Sequence, residues 1–152
     1  MTAPSTTPSP SISIRQVEDY VFTIDFGAVM PALLVDEAAP IGGGTGPMPE
    51  QLLIAGVANC LCASLVFALS KFRQDGKGVA ADAHCRIDRN PDGRLRVVGI
   101  DVALRLGAMA EGMPRIDRVL DQFERFCTVS ESVKAGVPVA VEVYDAAGAR
   151  LR

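Results

Sequence analysis

Tryptophan is absent from this chain, and its aromatic residues are two tyrosines and six phenylalanines among 152 residues. The core must therefore be built from Leu, Val, Ile and Ala rather than from large rings. Histidine occurs once, at His84, so no Ser-His-Asp arrangement is readable. Basic residues never cluster and the net charge is −3, which excludes a nucleic-acid footprint. Met1 to Ser11 is rich in Pro, Ser and Thr, with neither a charged n-region nor an apolar h-region. No secretory signal is expected, and a reducing cytoplasm follows as the compartment. There, cysteines are more often free, catalytic or metal-bound than paired.

The length fits one domain able to bury about two thirds of its unfolded surface. Residues 1–10 are expected to be a disordered tail and residues 11–152 a single domain. Ile12 and Ile14, then Tyr20, Phe22, Ile24 and Phe26, alternate with polar or smaller residues, predicting a strand pair or one bent strand. A short strand over Ala32–Val35 follows. The segment Pro40–Met48 carries four glycines but neither phosphate-loop spacing, so it reads as a flexible approach to a helix.

That helix is the longest feature of the chain. Leu52 to Leu69 contains no charged residue, Pro49-Glu50 suits its first turn, and Gly76 and Gly78 mark its end beyond Phe72. The apolar run approaches the roughly 20 residues that span a bilayer. Gly56, Asn59, Ser64, the many alanines and the lack of an aromatic belt or flanking positive cluster weigh against a membrane span. A helix apolar all round also serves as the centre of a compact protein.

Strands over Val79–Asp88 and Leu95–Leu106 flank Asn90-Pro91-Asp92-Gly93, a hairpin signal. A second helix is predicted from Pro114, with Ile116, Val119, Leu120, Phe123 and Phe126/Cys127 as its apolar stripe. Ser130 and Ser132 can cap a short third helix. Val137–Tyr144 is the closing strand. The order is β-β(-β)-α-β-β-α-α-β, an α+β sandwich with antiparallel pairing.

The four cysteines are Cys60, Cys62, Cys85 and Cys127. Cys60 lies mid-helix, ten residues after Glu50, which is roughly 15 Å of rise and about 80° of rotation. The two cannot touch. A reactive thiolate needs a nearby cation or donors, and an arginine would pair with the carboxylate while turning another donor toward the sulfur. Arg15 is the only arginine before the helix. By local pattern alone an inert core role for Cys60 is favoured over a reactive one. Cys127 opens a second option, because a peroxidase thiol oxidised to sulfenic acid can condense with another cysteine. Cys62 faces another way on the helix and reads as structural. Cys85 also reads as structural, and His84 beside it in a strand points to the opposite face, so no zinc site converges.

Three segments together resemble the OsmC/Ohr family of small thiol peroxidases. They are Gly44-Thr-Gly-Pro-Met-Pro-Glu-Gln-Leu-Leu53, Ala58-Asn-Cys60, and Phe126-Cys127-Thr-Val-Ser130 with Ser132 and Ala135-Gly-Val-Pro-Val139. The resemblance spans roughly residues 20–144. It implies an OsmC-like α+β fold, with antiparallel sheets around a long central helix in an intertwined homodimer. It also implies active sites at the subunit interface and no metal or organic cofactor. Cys60 becomes the peroxidatic cysteine, Cys127 the resolving cysteine, and Glu50 the acid that orients an arginine, for which Arg15 stands. Substrates would be organic hydroperoxides, reductants would be lipoylated proteins or other dithiols, and the role would be oxidative or osmotic stress defence. Thr128 replaces the family proline after the second cysteine, and Arg15 does not sit in the family's glycine-rich turn. The alternative is an OsmC-like protein without peroxidase activity that binds a small apolar ligand at the dimer interface.

Overall fold

The structure is a computed structural model that describes Thr7 and residues 9–152. The expectation of a tail over residues 1–10 lies largely outside the described residues. The chain divides into two compact units, one ending at Pro49 and one beginning at Glu50.

The N-terminal unit is a three-stranded antiparallel sheet in the order β1 (Ser13–Glu18), β2 (Val21–Asp25), β3 (Leu33–Val35). The alternating apolar pattern resolves into a strand pair rather than one bent strand. The glycine-rich segment after β3 is not a loose approach. Asp36, 2% exposed, gathers it: one carboxylate oxygen accepts from Glu37 N at 2.7 Å. The other accepts from Gly43 N at 3.0 Å, Thr45 N at 3.1 Å and Thr45 Oγ1 at 2.9 Å. Those bonds hold the Asp36 carboxyl below its ordinary range, led by the Thr45 amide. Two glycines are there for close approach. A Cβ on Gly42 would strike the Glu37 carbonyl and the Asp36 carboxylate, and one on Gly46 the Leu34 carbonyl.

The C-terminal unit is built on the long helix α1 (Pro49–Lys71) and a second three-stranded sheet, β4 (Val79–Arg89), β5 (Leu95–Leu106) and β6 (Val139–Tyr144). Glu50 lies in the first turn of α1 and Lys71 in the last, each complementing the helix dipole. β4 and β5 form the expected hairpin, with Asn90 Oδ1 accepting from Asp92 N and Arg94 N. The apolar spacing of β5 slips between Val97 and Ile100, and the structure supplies the reason. The ladder is irregular between Arg86 and Ile87, which pair with Gly99 and Val97, leaving Val98 as an extra residue. One pairing departs from expectation: β6 runs parallel to β5. The intervening α2 (Ile116–Leu120) and α3 (Thr128–Val133) carry the chain back to the far end of the sheet, as a parallel crossover requires.

Ile100, Val102, Leu104 and Leu106 of β5 and Val143 of β6 pack with Val57, Leu61, Leu65, Ala68 and Leu69 of α1 in one core. Each fully buried leucine contributes about 1.5–3 kcal/mol of transfer free energy. Although α1 is long and apolar enough to cross a membrane, a stripe of it is committed to this core. It is not the fully enclosed helix that its composition predicts. Leu53, Val66 and Phe67 remain exposed.

Candidate active site

Helical spacing puts Cys60, Ala63, Ser64, Phe67 and Lys71 along one side of α1. Cys60 is half-buried, while its neighbour Leu61 is wholly inside. Cys60, Ala63, Ser64, Phe67 and Phe126 line an open groove of about 370 Å³. Phe67 and Phe126 meet edge to face at 5.0 Å and 78°. Lys71 Nζ lies 5.0 Å from the centre of the Phe126 ring. The groove is therefore apolar at the thiol and cationic at its far rim, about 16 Å along the helix axis.

Cys127 comes to Cys60 from a segment that does not fold as one amphipathic helix. α2 stops at Leu120, and Gln122 leaves helical geometry at φ −120°, ψ −27°. A 3-10 turn over Phe123–Phe126 follows, closed by Arg125 N→Gln122 O and Cys127 N→Glu124 O. This tightening sends Phe123 fully into the core and Phe126 outward, although both belonged to the expected apolar stripe. Cys127 thus does not end a helix. In extended conformation it caps the N-terminus of α3, its Sγ accepting from Ser130 N at 3.3 Å. The cap expected of Ser130 or Ser132 is supplied by the cysteine.

Only 1% of Cys127 is exposed, and the Cys60 thiol lies close enough to act on it. Burial, first, and the Cys60 contact, second, push the Cys127 thiol up. The Ser130 hydroxyl and amide oppose them. Two cysteines 67 positions apart in sequence are thereby brought together.

Glu50 sits a helical distance from Cys60, and one of its carboxylate oxygens, Oε2, is buried without a hydrogen-bond partner. A buried carboxylate oxygen in that state lacks a donor that its chemistry calls for. Cys85, on β4, faces this carboxylate: burial pushes its thiol up and the Glu50 charge adds to the effect. Arg15 lies on β1 of the N-terminal unit, exposed and without an ion pair among the described residues. It is outside the unit that holds the two cysteines. Burial alone raises the Cys62 thiol. His84 is exposed while Cys85 is half-buried, as opposite faces of a strand require. Among the described residues, no three His, Cys, Asp or Glu side chains converge as ligands for a metal ion.

Sequence reasoning missed two features of this site. Ser130 was visible only as a helix cap, because cysteine is not among the usual capping residues. The outward turn of Phe126 was hidden because a 3-10 turn shifts the helical phase on which the stripe rested.

A family model described as OsmC-like protein matches residues 42–142. No curated protein is significantly similar to the chain in sequence. Among solved structures, the OsmC-like protein of Mycoplasma pneumoniae superposes with a TM-score of 0.77 at 16% identity, covering 91% of this chain and 97% of that one. An OsmC-like protein of unknown function from Vibrio cholerae gives 0.75 at 13% identity, covering 90% and 99%. The organic hydroperoxide resistance protein OhrB of Bacillus subtilis gives 0.68 at 20% identity, covering 89% and 97%. At these identities the likeness is one of fold.

Proposed function

This chain belongs to the OsmC-like family, and from that premise we propose that it reduces organic hydroperoxides through a thiol–disulfide cycle between Cys60 and Cys127. The observation that carries the proposal is the proximity of the two cysteine thiols beside an apolar groove. Cys60, the more accessible sulfur, attacks an oxygen of the hydroperoxide. The O–O bond breaks, and the outcome is Cys60–SH plus ROOH giving Cys60–SOH plus ROH. Cys127 sulfur then attacks the sulfenic sulfur, the S–O bond breaks, and the Cys127 proton leaves with the hydroxyl as water. A dithiol or lipoylated protein regenerates both thiols by exchange.

Glu50 needs a donor for its buried oxygen, and an arginine is the group that would satisfy it while offering a second N–H to a sulfur. We assign that role to Arg15. The apolar groove favours organic over hydrogen peroxide, because it rewards burial of the alkyl group. A second copy of the chain is the proposed partner. Both units leave apolar side chains open: Ile12, Ile14 and Val17 in one, Leu53, Val66 and Phe67 in the other. The cytoplasm, with its dithiol reductants, is the proposed compartment, and stress defence the proposed setting.

The test is consumption of tert-butyl hydroperoxide with dihydrolipoamide as reductant. Cys60→Ser should abolish it, and full activity in that variant would refute the mechanism. The same groove also favours the second reading, a small apolar ligand bound without turnover. Ordinary thiol reactivity at Cys60, together with saturable displacement of a fluorescent apolar probe, would select it.

A further inference from the structure

Ser130 is wholly buried, and its hydroxyl oxygen has no hydrogen-bond partner. Native proteins seldom tolerate such a group, and each instance calls for a reason. Its surroundings supply one. The Ser130 amide already donates to Cys127 Sγ at 3.3 Å. The hydroxyl lies beside the same sulfur, close enough to favour its anionic form. A neutral thiol is a poor acceptor, so the hydroxyl gains little while Cys127 stays protonated. A thiolate is a good one.

We propose that Ser130 is a catalytic residue for the second half of the cycle, using its hydroxyl and amide to stabilise the Cys127 thiolate as it attacks oxidised Cys60. This rests on the peroxidase reading above and adds to it a group that acts on the resolving sulfur. The chemistry of the pair requires the two halves to differ. Before oxidation, Cys127 is held protonated by burial and by its contact with Cys60, so the outer sulfur is the one that meets substrate. After oxidation, Cys60 carries the sulfenic hydroxyl. Cys127 must then give its proton to that hydroxyl, which departs as water while the S–S bond forms. Cys127 is 1% exposed, so solvent reaches the developing sulfur charge poorly, and Ser130 presents its amide at 3.3 Å with its hydroxyl beside the sulfur.

Loss of one hydrogen bond to a charged group corresponds to roughly a ten- to hundredfold effect. Removing the hydroxyl should therefore slow disulfide formation by about tenfold at neutral pH. It should also move the alkaline rise of that step up by about one pH unit, since a tenfold loss of thiolate is one unit. A purely structural role predicts neither. Deleting a partnerless buried hydroxyl removes an unsatisfied group, so folding stability should change little.

The experiment is stopped-flow single turnover of the full chain across pH. Sulfenate is trapped with dimedone, and the Cys60–Cys127 disulfide is counted by mass spectrometry after acid quench. Ser130→Ala is compared with wild type, and Ser130→Thr with the near-isosteric Ser130→Val, which separates hydroxyl from volume if Ala perturbs folding. The expected result is a lower ratio of disulfide formation to Cys60 oxidation in Ala and Val, with the pH rise displaced, and recovery in Thr. Unchanged ratios and pH profiles in Ala, or equal slowing in Thr and Val, would overturn the role. A second arm replaces the hydroperoxide with diamide: Cys60 adds across its N=N bond and Cys127 displaces the hydrazine to close the disulfide. Wild type that forms the disulfide with diamide but not with hydroperoxide sinks the peroxidase reading, while the Ser130 comparison still stands or falls in that arm.

Discussion

Counting thiols in a Cys127→Ala variant gives the most direct view of how the two sulfurs divide the work. All four cysteines are free in the structure. One equivalent of hydroperoxide should therefore take wild type from four titratable thiols to two, because Cys60 and Cys127 are consumed together. Cys127→Ala begins with three thiols and should end with two, with a dimedone-reactive sulfenate at Cys60 and no disulfide. The substitution also has a folding cost that can be worked from the site. It removes a fully enclosed sulfur, worth about 1 kcal/mol by analogy with a buried methylene. It also removes the acceptor for Ser130 N at the start of α3, worth about 0.5 kcal/mol at the low end of capping effects, since sulfur is a weak acceptor. Together these come to about 1.5 kcal/mol, or a fall in Tm of about 3–6 °C for a chain of this size. Ellman titration of the denatured protein gives the thiol count, and differential scanning fluorimetry the melting shift. If the variant still loses two thiols per hydroperoxide, Cys62 or Cys85 can resolve Cys60, and the assignment of Cys127 is wrong.

Other perturbations probe the remaining parts. Glu50→Gln keeps the shape of the side chain but removes its charge; hydroperoxide turnover should fall by at least tenfold, and a wild-type kcat/KM would remove Glu50 from the site. Phe126→Ala opens the groove beside Cys60, so KM for cumene hydroperoxide should rise several-fold while that for the smaller hydrogen peroxide holds; equal changes for both would deny the groove a part in binding. Asp36 has a folded pKa below its unfolded value, so it contributes stability above ordinary carboxylate pH that is lost as pH falls through the lower folded value. Asp36→Asn should remove that part of the acid limb, seen by hydrogen exchange of the Gly43 and Thr45 amides as a function of pH.

Much of the fold could be read from the chain because its signals are local. The hairpin at Asn90–Gly93, the bounds of α1 and the alternation in β2 and β5 each rest on a few neighbouring residues. What could not be read depends on distant ones. The parallel pairing of β6 leaves no mark in its own alternation, which would suit either direction. The order of the 37–46 loop depends on one carboxylate, Asp36, whose acceptors are satisfied by amides up to nine positions away. The contact of Cys60 with Cys127 is likewise invisible to spacing. It requires a 3-10 turn that breaks the helical phase just before the second cysteine. Glu50 and Cys60 were legible as a pair that cannot touch, and the unpartnered carboxylate oxygen is the structural form of that gap.

The chargeless character of α1 takes on a different meaning once the groove is considered. Full burial alone would explain a run without charge, yet Val66 and Phe67 are about half exposed. Under the proposed peroxidase reading, a thiol that meets an apolar hydroperoxide needs an apolar approach, and a charged side chain one turn from Cys60 would bring its hydration shell into that approach. The helix instead places its charges at the ends, Glu50 in the first turn and Lys71 in the last. Cys60 stands where the packed side of the helix gives way to the open one: Leu61 anchors the backbone in the core, and Ala63 and Phe67 border the groove. This position fixes the sulfur against Cys127 on one side and leaves it accessible on the other. In the proposed cycle a deeper position would exclude substrate, while a fully exposed one would take the sulfur away from the second thiol that closes the disulfide.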